Sequence, residues 1–204
     1  MKSIIKGDEP KIFSAWKALA NADWQPSYGT LANPEKKAVK QALMKEQGHI
    51  CCYCERRLYE NDSHIEHWVP QAESEPGALD FANMLCSCQQ NLDKGTPLHC
   101  GNLKGDHLIP VSPFDPDCAT RFIFTVEGEI LAAQPQDQAA QDTIKLLGLD
   151  ISTLNAMRAR VIEPFLDESL EDDEFEEFFA AYLQPDADGV LGEFWTTIDG
   201  LFRR

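Results

Sequence analysis

No stretch of the 204-residue sequence approaches the roughly 18 consecutive apolar residues that a membrane-spanning helix requires. The opening Met1-Lys2-Ser3-Ile4-Ile5-Lys6 lacks the apolar stretch of a signal peptide, so no membrane and a cytoplasmic location are expected. Internal repeats and low-complexity tracts are missing too, and the composition excludes disordered, collagen-like and coiled-coil classes. Basic residues are scarce: 18 Lys and Arg face 34 Asp and Glu, a net charge of −16. Such a chain has no long-range pull on nucleic acid, which needs clustered cations to displace counterions from phosphates. The deficit is uneven, with a net +3 over residues 1–60, −5 over 61–110 and −14 over 111–204. Action on a polynucleotide would therefore require a local basic groove, a divalent ion or a basic partner.

What is present is an ordinary globular composition, 43% apolar and 25% charged. A short helix is expected over Ile12, Phe13, Trp16 and Leu19. Asn33-Pro34-Glu35 reads as a helix start, with Asn33 as cap; Val39, Ala42 and Leu43 mark its apolar face and Gly48 its stop. A Pro-rich connection leads to a hairpin in which Arg121–Val126 and Ile130–Ala132 flank the turn-like Glu127-Gly128. Ile144, Leu146 and Leu147 lead to Gly148, and Ser152 can cap a helix whose face is Leu154, Met157, Val161 and Phe165. Apolar residues at helical spacing follow at Phe175–Leu183 and Leu191–Phe202, most simply a small helical core. The nine acids between Glu163 and Glu177 read as a solvated face.

Chemistry concentrates between residues 49 and 107, where every His and all but one of the seven Cys are found. In a reducing compartment close thiols are more often metal ligands than disulfides, and an odd count fits four ligands plus spares. Cys51 and Cys54 form a C-x-x-C pair, the spacing at which a tight knuckle presents two thiolates to one tetrahedral ion. The favoured second pair is Cys88 with Cys100, on the expectation that Cys86 and Cys88 point to opposite sides of an extended segment. Cys86 with Cys88 stays open as the alternative, and Cys118 reads as an idle thiol.

Between the pairs lies His64-Ile65-Glu66-His67-Trp68-Val69-Pro70. An alternating strand would set His64, Glu66 and Trp68 on one side and Ile65, His67 and Val69 on the other. Adjacent Glu66 and His67 suit an oxygen ligand for a hard cation next to a free imidazole that takes a proton from water, since histidine's ordinary pKa is near 6.5.

With Asn83-Met84-Leu85-Cys86 and His99-Cys100-Gly101-Asn102-Leu103-Lys104 added, residues 51 to 104 resemble the HNH endonuclease family. Its core is C-x-x-C, an acid-His-x-x-Pro strand, an Asn-Leu-like element before Cys, and a last Cys followed by Asn or His and then Lys. The resemblance implies a ββα unit holding one catalytic divalent ion, Mg²⁺ or Mn²⁺, braced by structural Zn²⁺ on Cys51, Cys54, Cys88 and Cys100. It implies His67 as general base, Glu66 as ion ligand, Asn83 as the tie of the loop between two strands, and Asn102 as second ion ligand. Lys104, Arg56 and Arg57 would contact substrate phosphates. The chain departs from the pattern in having Glu rather than Asp before the His, an insertion between Cys88 and Cys100, and Gly101 ahead of Asn102. His99, Asn91 and His107 therefore compete with Asn102.

Ile5–Pro10, Glu46-Gln47-Gly48 before Cys-Cys-Tyr-Cys-Glu, and Ile65-Glu66-His67 look like the HNH subunits of the Septu anti-phage system and its retron-associated relatives. That resemblance implies an ABC-type ATPase partner that holds or licenses the nuclease, and a nucleic-acid substrate, DNA favoured and RNA possible. The expected fold is α+β: a helical segment over 1–48, a zinc-braced ββα-metal nuclease core over 49–107, and over 108–204 the Pro-rich connection, hairpin and acidic helical lobe. The rival reading is a zinc-stapled adaptor that kept the fold and lost catalysis, a rival disfavoured by the retained Glu66-His67 beside Asn83 and Asn102.

Overall fold

A computed structural model of the protein describes residues 1–71 and 76–203. Among them it is an α+β structure with seven helices and two small antiparallel sheets. The order is α1 (Lys11–Lys17), α2 (Glu35–Glu46), β1 (Ser63–His67), β2 (Met84–Cys88), α3 (Gly101–Lys104), β3 (Phe122–Phe124), β4 (Ile130–Ala132), α4 (Gln138–Leu147), α5 (Ser152–Ile162), α6 (Asp172–Leu183) and α7 (Trp195–Phe202). No described helix is long and apolar enough to cross a membrane.

Helix α2 buries Val39 and Leu43, one turn apart, with Met44 beside them. It ends as expected at Gly48, whose φ of 65° lets Gly48 N–H donate to Lys45 O and His49 N–H to Met44 O. Its start differs from expectation. The cap position falls on Pro34, not Asn33, and no side chain caps it. The chain enters one residue later than the sequence suggests, through a bond from Lys36 N–H to Ala32 O. In α1, Phe13 is buried and stacks on Trp16 while Ile12 stays exposed; the helix stops at Lys17, short of the exposed Leu19 expected in it.

Strands β1 and β2 pair antiparallel, with Ile65 opposite Cys86, Glu66 opposite Leu85 and His67 opposite Met84. Buried Gln47, just past α2, clamps this hairpin. Its amide nitrogen donates to Ile50 O (3.0 Å) and Cys86 O (2.9 Å), and its oxygen accepts from Cys86 N–H (2.7 Å). One side chain thus fixes the end of α2, the turn that follows and β2.

The expected second hairpin is β3–β4, turning at Gly128 with φ 84°. Helix α4 ends at left-handed Gly148, also as expected, and its start is capped by Asp137, which accepts from Ala140 N–H. On α5 two expectations fail. Ser152 is the first helical residue rather than the cap, a position taken by Ile151, and the buried stripe is Leu154, Arg158 and Ile162. Met157 and Val161 are only partly buried. An arginine fills the middle of an apolar stripe because its guanidinium finds acceptors: Gly128 O (3.0 Å), Asn155 Oδ1 (3.0 Å) and Leu149 O (2.7 Å). The rings of Phe124 and Phe194 stand 5.8 and 5.7 Å from it. A second apolar cluster gathers Ile162, Phe165, Phe179 and Ile198, with Phe178 and Phe202 stacked on Phe165.

The hairpin tip presses on α5 so closely that a methyl on Gly128 would stand 2.1 Å from Asn155 O and 2.8 Å from Ala159 N. Both are backbone atoms of a helix and cannot step aside. Gly128→Ala is expected to cost about 3 kcal/mol or more. Gly95→Ala, at a similar φ of 90° in open space, should cost only about 1–2 kcal/mol of backbone strain. Urea denaturation of the two variants checks the difference.

Candidate active site and metal centre

The knuckle is built by backbone bonds that leave its thiols pointing inward: Cys51 N–H donates to Arg56 O and Glu55 N–H to Cys51 O, with Glu55 at φ 65°. Cys52 N–H ties the turn to Cys86 O on β2. Cys88 at the end of β2 and Cys100 just before α3 complete a buried cluster in which the sulfurs of Cys51, Cys54, Cys88 and Cys100 lie within 4.8 Å of one another. Zn–S bonds of about 2.3 Å put tetrahedral sulfurs about 3.8 Å apart, and Cys54 Sγ is 3.8 Å from Cys88 Sγ. The donor set and spacing suit a structural metal such as zinc.

The four are those favoured from the sequence, but the reason offered for setting Cys86 aside was wrong. Residues two apart on a strand share a face. Cys86 sits mid-strand with its backbone clamped by Gln47 and its sulfur outside the cluster, whereas the chain leaves the strand after Cys88 at Gln89, φ 68°. Burial pushes the Cys86 thiol up to about 12 and the Cys118 thiol up to about 11, and holds Cys52 well above its ordinary value, so these three stay neutral thiols.

Beside the cluster, Glu66 and His67 end β1. Glu66 is buried, with Oε1 accepting from Lys104 Nζ at 3.0 Å and Tyr53 OH at 3.2 Å. His67 is buried edge-on to Tyr28, with ring centroids 4.8 Å apart. Its Nε2–H donates to Ala78 O (3.0 Å), which leaves the lone pair on Nδ1, where the Gln71 amide donates at 3.1 Å. Burial, reinforced by nearby Lys104, holds the imidazole below its ordinary pKa despite the opposing Ala78 hydrogen bond and Glu66 charge. Glu66, His67, Gln71 and Lys104 line one open cavity of about 280 Å³. A histidine and a carboxylate residue thus line the same open space.

Asn83 bridges the loop between the strands: its Oδ1 accepts from Val69 N–H (2.8 Å) and its amide donates to Val69 O (3.0 Å). Asn102 is not brought to Glu66. It is exposed, and its amide donates to Gln89 O at 2.6 Å. Positions 101 and 104 share the helix face over β1, and position 102 is rotated off it. Of the competitors, His99 is buried behind the metal cluster, Nδ1 3.1 Å from Cys100 Sγ, while Asn91 bonds Asn61 O and His107 is exposed.

Of the three expected phosphate contacts, Lys104 is set aside by its burial, and Arg56 and Arg57 are partly exposed with partners of their own. Lys104 is fully buried, its Nζ on Glu66 and on His67 O at 2.9 Å. Arg57 donates to Leu191 O and its backbone N–H to Glu193, and half-buried Arg56 pairs with Asp62 at 3.5 Å. Other cations gather on α2, where Lys37 pairs with Glu60 at 3.0 Å, Lys40 Nζ donates to Ser63 O at 3.1 Å and Lys36 stands over the Tyr28 ring. Lys36, Lys37 and Lys40 on α2 line a cleft of about 250 Å³ with Tyr28, His64 and Ile65. Sequence reading missed this cleft, although the three lysines at i, i+1 and i+4 carry much of the local +3 charge.

No protein-family model matches the chain. It is similar to the "Retron Vc95 putative HNH endonuclease" of Vibrio cholerae serotype O1 biovar El Tor, 29% identical over 136 residues. That match covers 63% of this chain and 65% of the relative, so the chain spans a little under two thirds of that protein's length. It is also similar to the "Retron Ec83 putative HNH endonuclease" of Escherichia coli, 25% identical over 209 aligned positions, 81% of this chain and 80% of the relative. Both likenesses support the HNH endonuclease family, among its retron-associated members, and a nuclease role.

Purified protein is expected to carry about one zinc per chain by elemental analysis. Cys51→Ser or Cys100→Ser should lose it and fall in thermal midpoint. Cys52→Ser, Cys86→Ser and Cys118→Ser should keep it.

Proposed function

We propose that this chain, kin to the HNH endonucleases of retrons, hydrolyses phosphodiester bonds, with DNA as favoured substrate. The observation that carries the reading is the fixed tautomer of His67 beside Glu66. A base whose Nε2–H is committed to Ala78 O keeps Nδ1 as its only basic atom, and the partner of that atom, Gln71, lines the cavity that Glu66 shares. Water replacing the Gln71 amide at Nδ1 would give its proton there and attack phosphorus. Glu66, anchored through Oε1, offers Oε2 to a divalent ion, Mg²⁺ or Mn²⁺. An ion held by Glu66 would supply Lewis-acid stabilisation of charge on the scissile phosphate and its leaving 3′ oxygen.

The α2 lysine cleft supplies the local basic surface that the acidic chain otherwise lacks, and adjoins β1 through His64 and Ile65. Its small extent supports a second part of the proposal. The chain works as effector subunit of an anti-phage complex in which an ABC-type ATPase supplies the rest of the nucleic-acid grip. Three lysines displace few counterions, and the remaining surface repels a polyanion.

His67→Ala is expected to lower divalent-ion-dependent cleavage by about 10²–10⁴-fold while zinc content stays unchanged, measured on plasmid DNA and structured RNA with and without the ATPase. Wild type that cuts nothing in the complete complex would refute the reading. The pH profile gives a second check. The base acts as neutral imidazole, present above its pKa, and that pKa is lowered. Activity should therefore fall on the acid side with an apparent pKa below 6.5, and a limb above it would contradict the buried geometry.

A further inference from the structure

Glu66 is anchored through one oxygen only. Lys104 Nζ and Tyr53 OH both fall on Oε1, so Oε2 is left to face something else. It faces His64, two residues earlier on β1 and hence on the same side of the strand. The gap from His64 Nε2 to Glu66 Oε2 is 3.7 Å. Helix α3 crosses above both with Gly101, and a methyl placed there would stand 2.5 Å from Oε2 and 2.8 Å from Nε2. The two donor atoms converge on a spot where the helix carries no side chain. The spot is not sealed, since the His64 side chain is 19% exposed and that of Glu66 10%. His64 lines the lysine cleft on one side and, with Asn102 and Gln89, a second cavity of about 470 Å³ on the other.

We propose that His64 Nε2 and Glu66 Oε2 together bind the divalent ion, His64 holding the place that the sequence assigned to Asn102. This rests on the nuclease reading and deepens it. Adjacent donors about 2.1 Å from one octahedral ion stand about 3.0 Å apart, so the observed 3.7 Å has to close by about 0.7 Å, within reach of a side-chain rotation. The donor pair also sets a preference. Mg²⁺ demands oxygen ligands, whereas an imidazole nitrogen favours first-row transition ions. The site is therefore built for Mn²⁺, Co²⁺ or Ni²⁺ ahead of Mg²⁺, with the remaining positions open to water and phosphate oxygens.

The test is Mn²⁺ titration of the zinc-loaded full chain, followed by the electron paramagnetic resonance signal of free Mn²⁺. Wild type should bind one Mn²⁺ and His67→Ala should bind it equally. His64→Ala and Glu66→Gln should weaken it by about tenfold or more. Gly101→Ala, which fills the spot without removing a ligand, should do the same, with zinc content reporting that each variant folds. In cleavage, His64→Ala should lower the ratio of the Mn²⁺ to the Mg²⁺ rate. Mn²⁺ binding that ignores His64, or no Mn²⁺ bound by wild type, overturns the inference even if the protein cuts nucleic acid. His64-dependent binding without cleavage upholds the ion site and removes the nuclease reading instead.

Discussion

Four sulfurs from three separate stretches of chain have to meet within 4.8 Å, and the centre of the molecule is arranged around that meeting. Helix α3 is only four residues long, too short to hold itself, because the first turn of a helix costs more than it returns. It is held at its root by Cys100, whose N–H also donates to Leu147 O at the end of α4. With that root fixed, Gly101 and Lys104 are laid across β1, and the carboxylate below has one oxygen tied to Lys104 and Tyr53 and the other left open. The structural cluster and the reactive pair are therefore a single construction.

The Lys104–Glu66 pair belongs to the same logic. Taking two charges out of water costs several kcal/mol, and their mutual attraction seldom returns much more. Such a pair is poor evidence of stability and good evidence of position. Here it settles which oxygen of Glu66 is tied down and which is left free, and it takes Lys104 away from any substrate. The basic surface has to come from α2 instead, whose lysine cleft adjoins β1 at His64 and Ile65.

Much of this was legible in the sequence because it depends on local spacing. The C-x-x-C turn, the Glu66-His67 step, the Gly48 and Gly148 stops and the hairpin at Gly128 each require only a few neighbouring residues. What was not legible depends on rotation and on distant partners. Whether position 101, 102 or 104 of a short helix faces a strand is set by a roll of 100° per residue, which the insertion after Cys88 made unreadable. Arg158 in a buried stripe has no local signal, since its acceptors come from the hairpin, from Leu149 and from its own helix. His64 carries no local signal of a role, because its proximity to Gly101 exists only after α3 has docked.

The knuckle's outer wall is supplied from far along the chain. Leu191 N–H donates to Gly48 O, Phe194 N–H to Glu55 O, and Thr196 donates to the Glu55 carboxylate across 141 positions of sequence. In kinetic terms these are costly loops to close, and contacts of such range form late. The cysteine pair at 51 and 54 is assembled from a four-residue turn and exists long before its wall arrives. Loop-closure cost thus favours a knuckle that forms before its wall, so that a metal taken up by the four sulfurs would be sealed in by the last helix.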